Sequence, residues 1–411
     1  MNWEEEMVNV GIDLHKTQFT ICARRNGGEE FNKYPTQEEG YQEFLAQVTK
    51  WRESGEEVRV AVESTGNTRY FKNRMEGAGI GVTVINTLKM KVVNESVKKT
   101  DKHDAATIAE FLEKDILPQS QLCSRESEKL RRFLKVRTSL VKTTTVMKNQ
   151  IHALFLSEGL EDVKSSALQS KKGRKETLAT LNQCTNGLVA QPLVEMIDRL
   201  EEEVNGIEKE LRTLTKEDRM VELLMSIPGC GEICAWTIRA YIDDIKRFND
   251  PKRLVSFAGL APWVQNSNET IHHGKITKRG PKELRTAIVQ VVMGLRRMKE
   301  KTVTWRLMQR YVLLKQYKGS GKAIIATARK VAVIIWHMLT KDEMFKLEMI
   351  TDKKLGEKAE DMRKVAMGEK SDEKKVDEPQ IEKQGKPVKD KGSRKAVKKT
   401  GVARKKNIKV G

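Results

Sequence analysis

The amino-acid sequence predicts an α/β domain at the N-terminus, a middle of long helices with a coiled-coil repeat, a second domain that is mostly helical, and a disordered basic tail. Three observations carry that reading. Between residues 7 and about 115, short apolar strands alternate with helical stretches, the order that covers a sheet with helices. Between 193 and 214, apolar residues recur in alternating steps of four and three, the heptad of a coiled coil. Beyond Asp352 aromatic residues disappear and lysines crowd in, leaving too little apolar surface to bury. A chain of 411 residues has room for two or three such domains.

The first domain is expected over 7–120. Residues 8–13 and 19–23 read as a strand hairpin, 38–51 as a helix and 58–63 as a strand. A short helix follows over 68–76, then a strand over 81–85 and a helix over 101–112. The middle segment, 124–218, opens with a stretch free of Pro and Gly up to about 156. In it Leu130, Leu134, Leu140, Val141, Met147, Ile151 and Leu154 recur at helical spacing. One helix of that length extends on the order of 45 Å. Residues 158–190 are polar and less regular. Leu193, Ile197, Leu200, Val204, Ile207, Leu211 and Leu214 then form the heptad. Two partners fit it: the earlier long helix of the same chain, as an antiparallel hairpin, or a second copy of the chain. The repeat does not choose between them. Residues 220–350 read as the second, mostly helical domain. The tail, 352–411, has 20 Lys/Arg against 11 Asp/Glu and reads as disordered, either a phosphate-binding extension or a solubilising one.

A net charge of +20 points to a polyanionic partner, and nucleic acid fits better than a membrane. No uninterrupted apolar run reaches the ~18–20 residues of a membrane span, and the acidic N-terminus lacks the apolar stretch of a signal peptide. Cys22, Cys123, Cys184, Cys230 and Cys234 are odd in number and scattered, which argues for reduced thiols and a cytoplasmic address. Cys230 and Cys234 lack a second pair at zinc-site spacing.

The residues best placed for chemistry are Asp13, Glu63, Asp101 and Asp104. Asp13 and Glu63 end apolar strands, and the other two sit three apart where a helix begins. Carboxylates so placed can converge, and convergent carboxylates suit Mg²⁺, which takes hard oxygen ligands and keeps substrate phosphate in its shell. Solvated acids at strand ends and a helix dipole account for the same residues. His103, between the last two, points to another helix face and reads as structural or as a DNA contact.

Two stretches of the second domain suit nucleic acid. Ser226-Ile227-Pro228-Gly229-Cys230-Gly231 lies between two helices, where Gly229 and Gly231 would expose backbone N–H groups to a phosphate; an ordinary tight connection uses glycines equally well. Further on, a polar loop carrying Ser267 leads into Lys275, Lys278, Arg279, Lys282 and Arg285, with Pro281 suited to the first position of a helix. Ser267 is a possible nucleophile, although a loop serine alone says little. Gly319-Ser320-Gly321-Lys322 imitates a phosphate loop, but Gln316 replaces its first glycine and Ala323 its Ser/Thr.

In Gly11-Ile12-Asp13, Glu63-Ser64-Thr65-Gly66 and Lys99-Thr100-Asp101-Lys102-His103-Asp104-Ala105 the chain resembles the DEDD motifs of the "IS one-ten" class of insertion-sequence transposases. That class takes in Piv-type DNA invertases and bridge-RNA-guided recombinases. Ile227-Pro228-Gly229-Cys230-Gly231, Phe257-Ala258-Gly259-Leu260-Ala261-Pro262, the basic turn 274–280 and Ala326-Thr327-Ala328-Arg329-Lys330 extend the resemblance over roughly 7–345. It implies a RuvC-like, RNase H-type first domain in which Asp13, Glu63, Asp101 and Asp104 hold Mg²⁺. It also implies a serine nucleophile in the transposase domain, and Ser267 is the only serine between Pro262 and Gly280. The class pattern expects a serine pair followed by glycines, where this chain has Asn266-Ser267-Asn268-Glu269. The resemblance further implies a composite site in a homodimer or homotetramer, DNA ends and target as substrates, a structured noncoding guide RNA, and a bacterial or archaeal cytoplasm, on the nucleoid. The alternatives are a junction-resolving nuclease in which water attacks, a Piv-type invertase with the same chemistry, and a noncatalytic nucleic-acid-binding protein.

Overall fold

A computed structural model describes residues 7–87, 89–90, 100–161, 163–184, 186–267, 270–298, 302 and 305–346, without the side chains of 264–273. The tail, and with it the expected disorder, lies outside the described residues.

Three strands form an antiparallel meander: β1 (Met7–Leu14), β2 (Gln18–Arg25) and β3 (Gly28–Pro35). Two more, β4 (Glu57–Glu63) and β5 (Val82–Ile85), add in parallel beside β1, giving the order β3-β2-β1-β4-β5. Alternation decides what each face meets. Val8, Val10, Ile12 and Leu14 turn to one side, with Phe19, Ile21 and Val60 from neighbouring strands. There they pack under α1 (Glu38–Glu53) and α2 (Thr68–Gly77) through Tyr41, Phe44, Val48, Phe71 and Met75. Asn9, Gly11 and Asp13 turn to the other side, covered by α3 (Asp101–Glu113).

β3 is the strand that sequence reasoning passes over. Of its eight residues only Tyr34 is buried, so an edge strand of charged residues shows no apolar alternation. Its signal is the turn: Asn26 and Gly27, both at positive φ, link the pair Arg25–Gly28. Asn-Gly is the preferred two-residue hairpin connection.

Beyond the sheet, α4 (Arg125–Ser157) is one continuous helix capped by Ser124. After α5 (Lys171–Leu181), α6 (Gly187–Leu214) returns antiparallel along it. Arg137 Nε donates to Glu208 at 2.8 Å, and Lys148 Nζ to Glu201 at 3.0 Å. Ile151 and Phe155 share a core with Leu181, Val194 and Ile197. The heptad thus meets the earlier helix of its own chain, while Leu200, Val204 and Ile207 stay half-buried and Leu214 exposed. Arg174 of α5 is buried and held by Asp198 and Glu201, so its charge is paired where an unpaired one would be costly.

The remaining helices are α7 (Arg219–Met225), α8 (Glu232–Ile242), α9 (Pro251–Phe257), α10 (Lys282–Arg297), α11 (Arg306–Lys318) and α12 (Ser320–Lys341). They bury one core around Trp236, Leu254, Ile288, Val292, Val331 and Ile335, which Leu130, Leu134 and Leu211 also enter. In length and mean hydropathy α12 is comparable with a membrane span, although Arg329 and Lys330 interrupt its apolar run. Eight of its residues, Ala323, Thr327, Ala328, Val331, Ala332, Ile335, Met338 and Leu339, are buried within the protein instead. Where a polar loop is expected, β6 (Pro262–Ser267) and β7 (Thr270–Ile276) form a two-stranded hairpin. Thr270, Ile271 and Ile276 supply the β-branched residues that favour it.

A polar joint fixes the start of α4. The backbone N and Oγ of Ser124 donate to Asp243 at 3.0 and 2.5 Å, and Ser127 Oγ donates to the same carboxylate at 2.6 Å. Arg239 Nη1 donates to Ser127 Oγ at 2.9 Å. Asp243 ends α8 at φ 63°, ψ −84°, a backbone conformation that a non-glycine residue holds only when its surroundings demand it.

Candidate active site

The site is assembled by how closely α3 approaches the sheet. A Cβ on Gly11 would lie 2.2 Å from the Ala105 carbonyl oxygen and 2.3 Å from the Ala109 nitrogen. Only glycine admits a helix at that distance, and α3 offers alanines, one turn apart, to meet it. Cys22, Gly11's cross-strand partner, is buried beside them, and burial pushes its thiol up to about 12, out of reach of thiolate chemistry.

This docking brings the first turn of α3 to the end of β1. Thr100 caps the helix, its Oγ1 accepting from the His103 N–H at 3.2 Å, so Asp101 and Asp104 lie in the first turn. Asp13 is 4% exposed. Burial pushes its carboxyl above the ordinary 3.8, His15 works against that, and Asp101 and Asp104 add to the rise. Three acids are thus drawn together. Glu63 ends β4 one step beyond the pair Ile12–Val62, on the strand beside Asp13, and its carbonyl accepts from Thr68 Oγ1 at 2.7 Å.

His15, which sequence reasoning did not single out, completes the cluster. Its Nε2 lies 3.0 Å from Asp13 Oδ2 and 3.5 Å from Asp101 Oδ1. The potential ligand atoms of Asp13, His15 and Asp101 all lie within 4.8 Å of one another, the one such group among the described residues. Asn67 Nδ2 donates to the His15 carbonyl at 2.8 Å, fixing the turn after β1 to the loop after β4. Thr20, cross-strand from Asp13 and 0% exposed, has a hydroxyl with no partner among the described residues. A buried carboxyl crowded by like charges, an imidazole and an unsatisfied hydroxyl suit a divalent cation with bound water.

The second group of sequence-predicted residues divides in two. Gly229, at φ 81°, faces inward: a Cβ there would lie 2.7 Å from the Leu295 nitrogen and 3.0 Å from Gly294 Cα in α10. Gly231 opens α8 with nothing within 4 Å of where its Cβ would be. Lys275, Lys278, Arg279 and Lys282 are exposed, and Lys278 sits at φ 54°. Arg285 instead turns inward, its Nη1 donating to the carbonyls of Ala258 at 3.2 Å and Lys278 at 3.3 Å. Gly280 makes that fold possible, since a Cβ there would lie 1.9 Å from the Phe257 carbonyl oxygen. Ser267 is the last residue of β6, paired with Thr270; its side chain lies outside the described residues.

Comparison with known proteins matches both halves. The IS110 DEDD transposase model matches residues 10–158, and the IS116/IS110/IS902 transposase family model matches residues 221–305. The transposase for insertion sequence element IS1111A of Coxiella burnetii is 28% identical over 346 residues, 82% of this chain and 91% of its own. The transposase for insertion sequence element IS1328 of Yersinia enterocolitica is 24% identical over 345 residues, 82% and 98% of the two chains. The pilin gene-inverting protein of Moraxella bovis is 24% identical over 348 residues, 82% and 97%.

Proposed function

The chain belongs to the IS116/IS110/IS902 transposases and carries their DEDD domain, enzymes that cleave and rejoin DNA, and from that premise we propose a Mg²⁺-assisted, serine-mediated strand exchange. The observation that supports the metal half most directly is the docking of α3 against Gly11, which sets Asp101 beside Asp13 and His15. Asp13, Glu63, Asp101 and Asp104 would hold the metal, with His15 beside them as a nitrogen donor. When bound, the ion neutralises the scissile phosphate and the charge that develops on it. The mixed sheet, with acids at two neighbouring strand ends, supports the RuvC-like, RNase H-type reading.

In the covalent half, Ser267 Oγ attacks the phosphorus and a serine–phosphate bond forms as one phosphodiester bond breaks. The serine proton passes to the departing deoxyribose oxygen. One phosphodiester is exchanged for another, so rejoining needs no outside energy. Lys275, Lys278, Arg279 and Lys282 surround the base of the serine hairpin and would position the strand. Gly231 leaves open space at the start of α8 where a phosphate could approach, its backbone also bonding the Cys234 thiol. A homodimer or homotetramer, with a composite site and the half-buried α6 heptad as one contact, and a structured noncoding guide RNA belong to the same proposal; the +20 charge supports a large nucleic-acid load. The pilin gene-inverting relative keeps inversion open as an outcome of the same chemistry.

The test is covalent trapping. Protein expressed with its native flanking DNA is given Mg²⁺, denatured and examined for protein-linked DNA. Wild type forms the adduct, whereas Ser267→Ala and Asp13→Ala do not. Cleavage without an adduct, lost only in Asp13→Ala, would replace the serine step with attack by water.

A further inference from the structure

Residues 301–341 contain nine Lys/Arg and not one Asp or Glu. In a chain with 57 acidic residues, such a run sets the helices it forms apart from the rest of the surface. Those helices are α11 and α12, joined at Gly319, whose φ is 79°. One face of α11 is buried through Leu307, Met308 and Tyr311. The opposite face follows the helical steps of four, three and four: Arg306, Arg310, Leu313 and Tyr317, all exposed. Tyr317 is 79% exposed and Leu313 54%, and no described ring lies against Tyr317. Lys318 and Lys322 flank the connection and are exposed. Neither these two nor Arg310 forms an ion pair with another described residue.

We propose that the tip of this helical pair binds an unpaired nucleic-acid strand, with Tyr317 stacking on a base and Arg310, Lys318 and Lys322 on the flanking phosphates. The charge selects a polyanion. A protein partner would be expected to meet mixed charges, and this surface offers only one sign. The aromatic ring selects the state of that polyanion. A duplex keeps its base faces stacked inside, whereas an unpaired strand presents them to an aromatic side chain, and such stacking tolerates any base. Leu313, one turn behind Tyr317, extends the platform under the sugar. Unpaired DNA from an opened target and a loop of RNA share these groups. This inference rests on the chain acting on nucleic acid, but not on the metal or serine chemistry.

The test is fluorescence anisotropy of the full chain in EDTA, where no metal-assisted cleavage occurs, with oligothymidylate, oligouridylate and a DNA duplex of equal length over a range of salt. Tyr317→Ala weakens both single strands roughly tenfold and leaves the duplex unchanged, while Tyr317→Phe retains wild-type binding. Arg310→Ala with Lys318→Ala flattens the salt dependence for single strands by about one phosphate contact or more. A tenfold loss for only one sugar type would assign the site to that nucleic acid and still support it. Unchanged single-strand affinity in Tyr317→Ala would overturn the proposal, as would equal losses for strand and duplex, or a Tyr317→Phe protein as weak as Tyr317→Ala. Covalent trapping of the wild-type chain in Mg²⁺ is the separate readout of the proposed function: Tyr317-dependent strand binding in EDTA with neither cleavage nor adduct in Mg²⁺ would sustain this site and sink the strand-exchange reading.

Discussion

At the scale of single residues, Asp13 is held at a cost. Its carboxyl is pushed up by burial and by Asp101 and Asp104, so the folded chain binds that proton more tightly than the unfolded one. Stability therefore falls as pH rises from 3.8 through the raised value, and at neutral pH the ionised group is a standing penalty. Asp13→Asn should raise the metal-free melting temperature, by on the order of 1 kcal/mol of stability, while abolishing strand cleavage. Adding divalent metal should narrow the gap, because the ion binds the folded wild type. Thermal unfolding in EDTA decides this; a less stable Asn variant would mean that Asp13 is a structural anchor. Asp13 and Asp101 are legible in the sequence because an apolar strand and a helix start flag them. His15 is not, since no periodicity marks it and only the turn held by Asn67 carries its ring to the acids. Arg285 shows the opposite failure. Charge groups it with the exposed lysines, yet the fold turns its guanidinium onto two backbone carbonyls.

At the scale of elements, the site depends on the fit of α3 against β1 and β2. Gly11→Ala places a methyl group inside the backbone of α3, and relief requires that the helix move out. The expected loss is about 1–3 kcal/mol, the usual cost of overpacking, read by urea unfolding. Metal affinity should fall with it, because Asp101 leaves Asp13. A Gly11→Ala protein with wild-type metal binding would show that the carboxylates converge by another route. The strands and helices with apolar periodicity, including α4 and the heptad part of α6, can be located from spacing alone, whereas α5 and the first turn of α6 fall in the stretch that reads as polar and irregular. β3 and the β6–β7 hairpin escape that reading because their stability comes from ladder bonds and a turn, not from an alternating apolar face. Why α3 packs so closely is likewise visible only once Gly11 is seen opposite Ala105 and Ala109.

At the scale of the whole molecule, the acidic limit of stability should be set in part at Asp243. Burial would raise this carboxyl, but hydrogen bonds from Ser124 and Ser127 outweigh it and hold the group below 3.8. The stability that Asp243 contributes is complete above that value and is lost as pH falls below it. Urea unfolding should find Asp243→Asn weaker at pH 7 by about 1–3 kcal/mol, for donors left unpaired. The difference should shrink toward pH 3, and a constant difference across that range would remove Asp243 from the account. The joint also has a mechanical meaning. α4 runs unbroken for 33 residues, about 50 Å, from its anchor beside α8 to the core that holds Ile151 and Phe155. A tilt of about 5° at the anchored end would sweep the far end through roughly 4 Å, close to the rise of one nucleotide along a duplex strand. One carboxylate and two serines thus set the heading of a long rod, and any change of angle at that joint would be multiplied along its length.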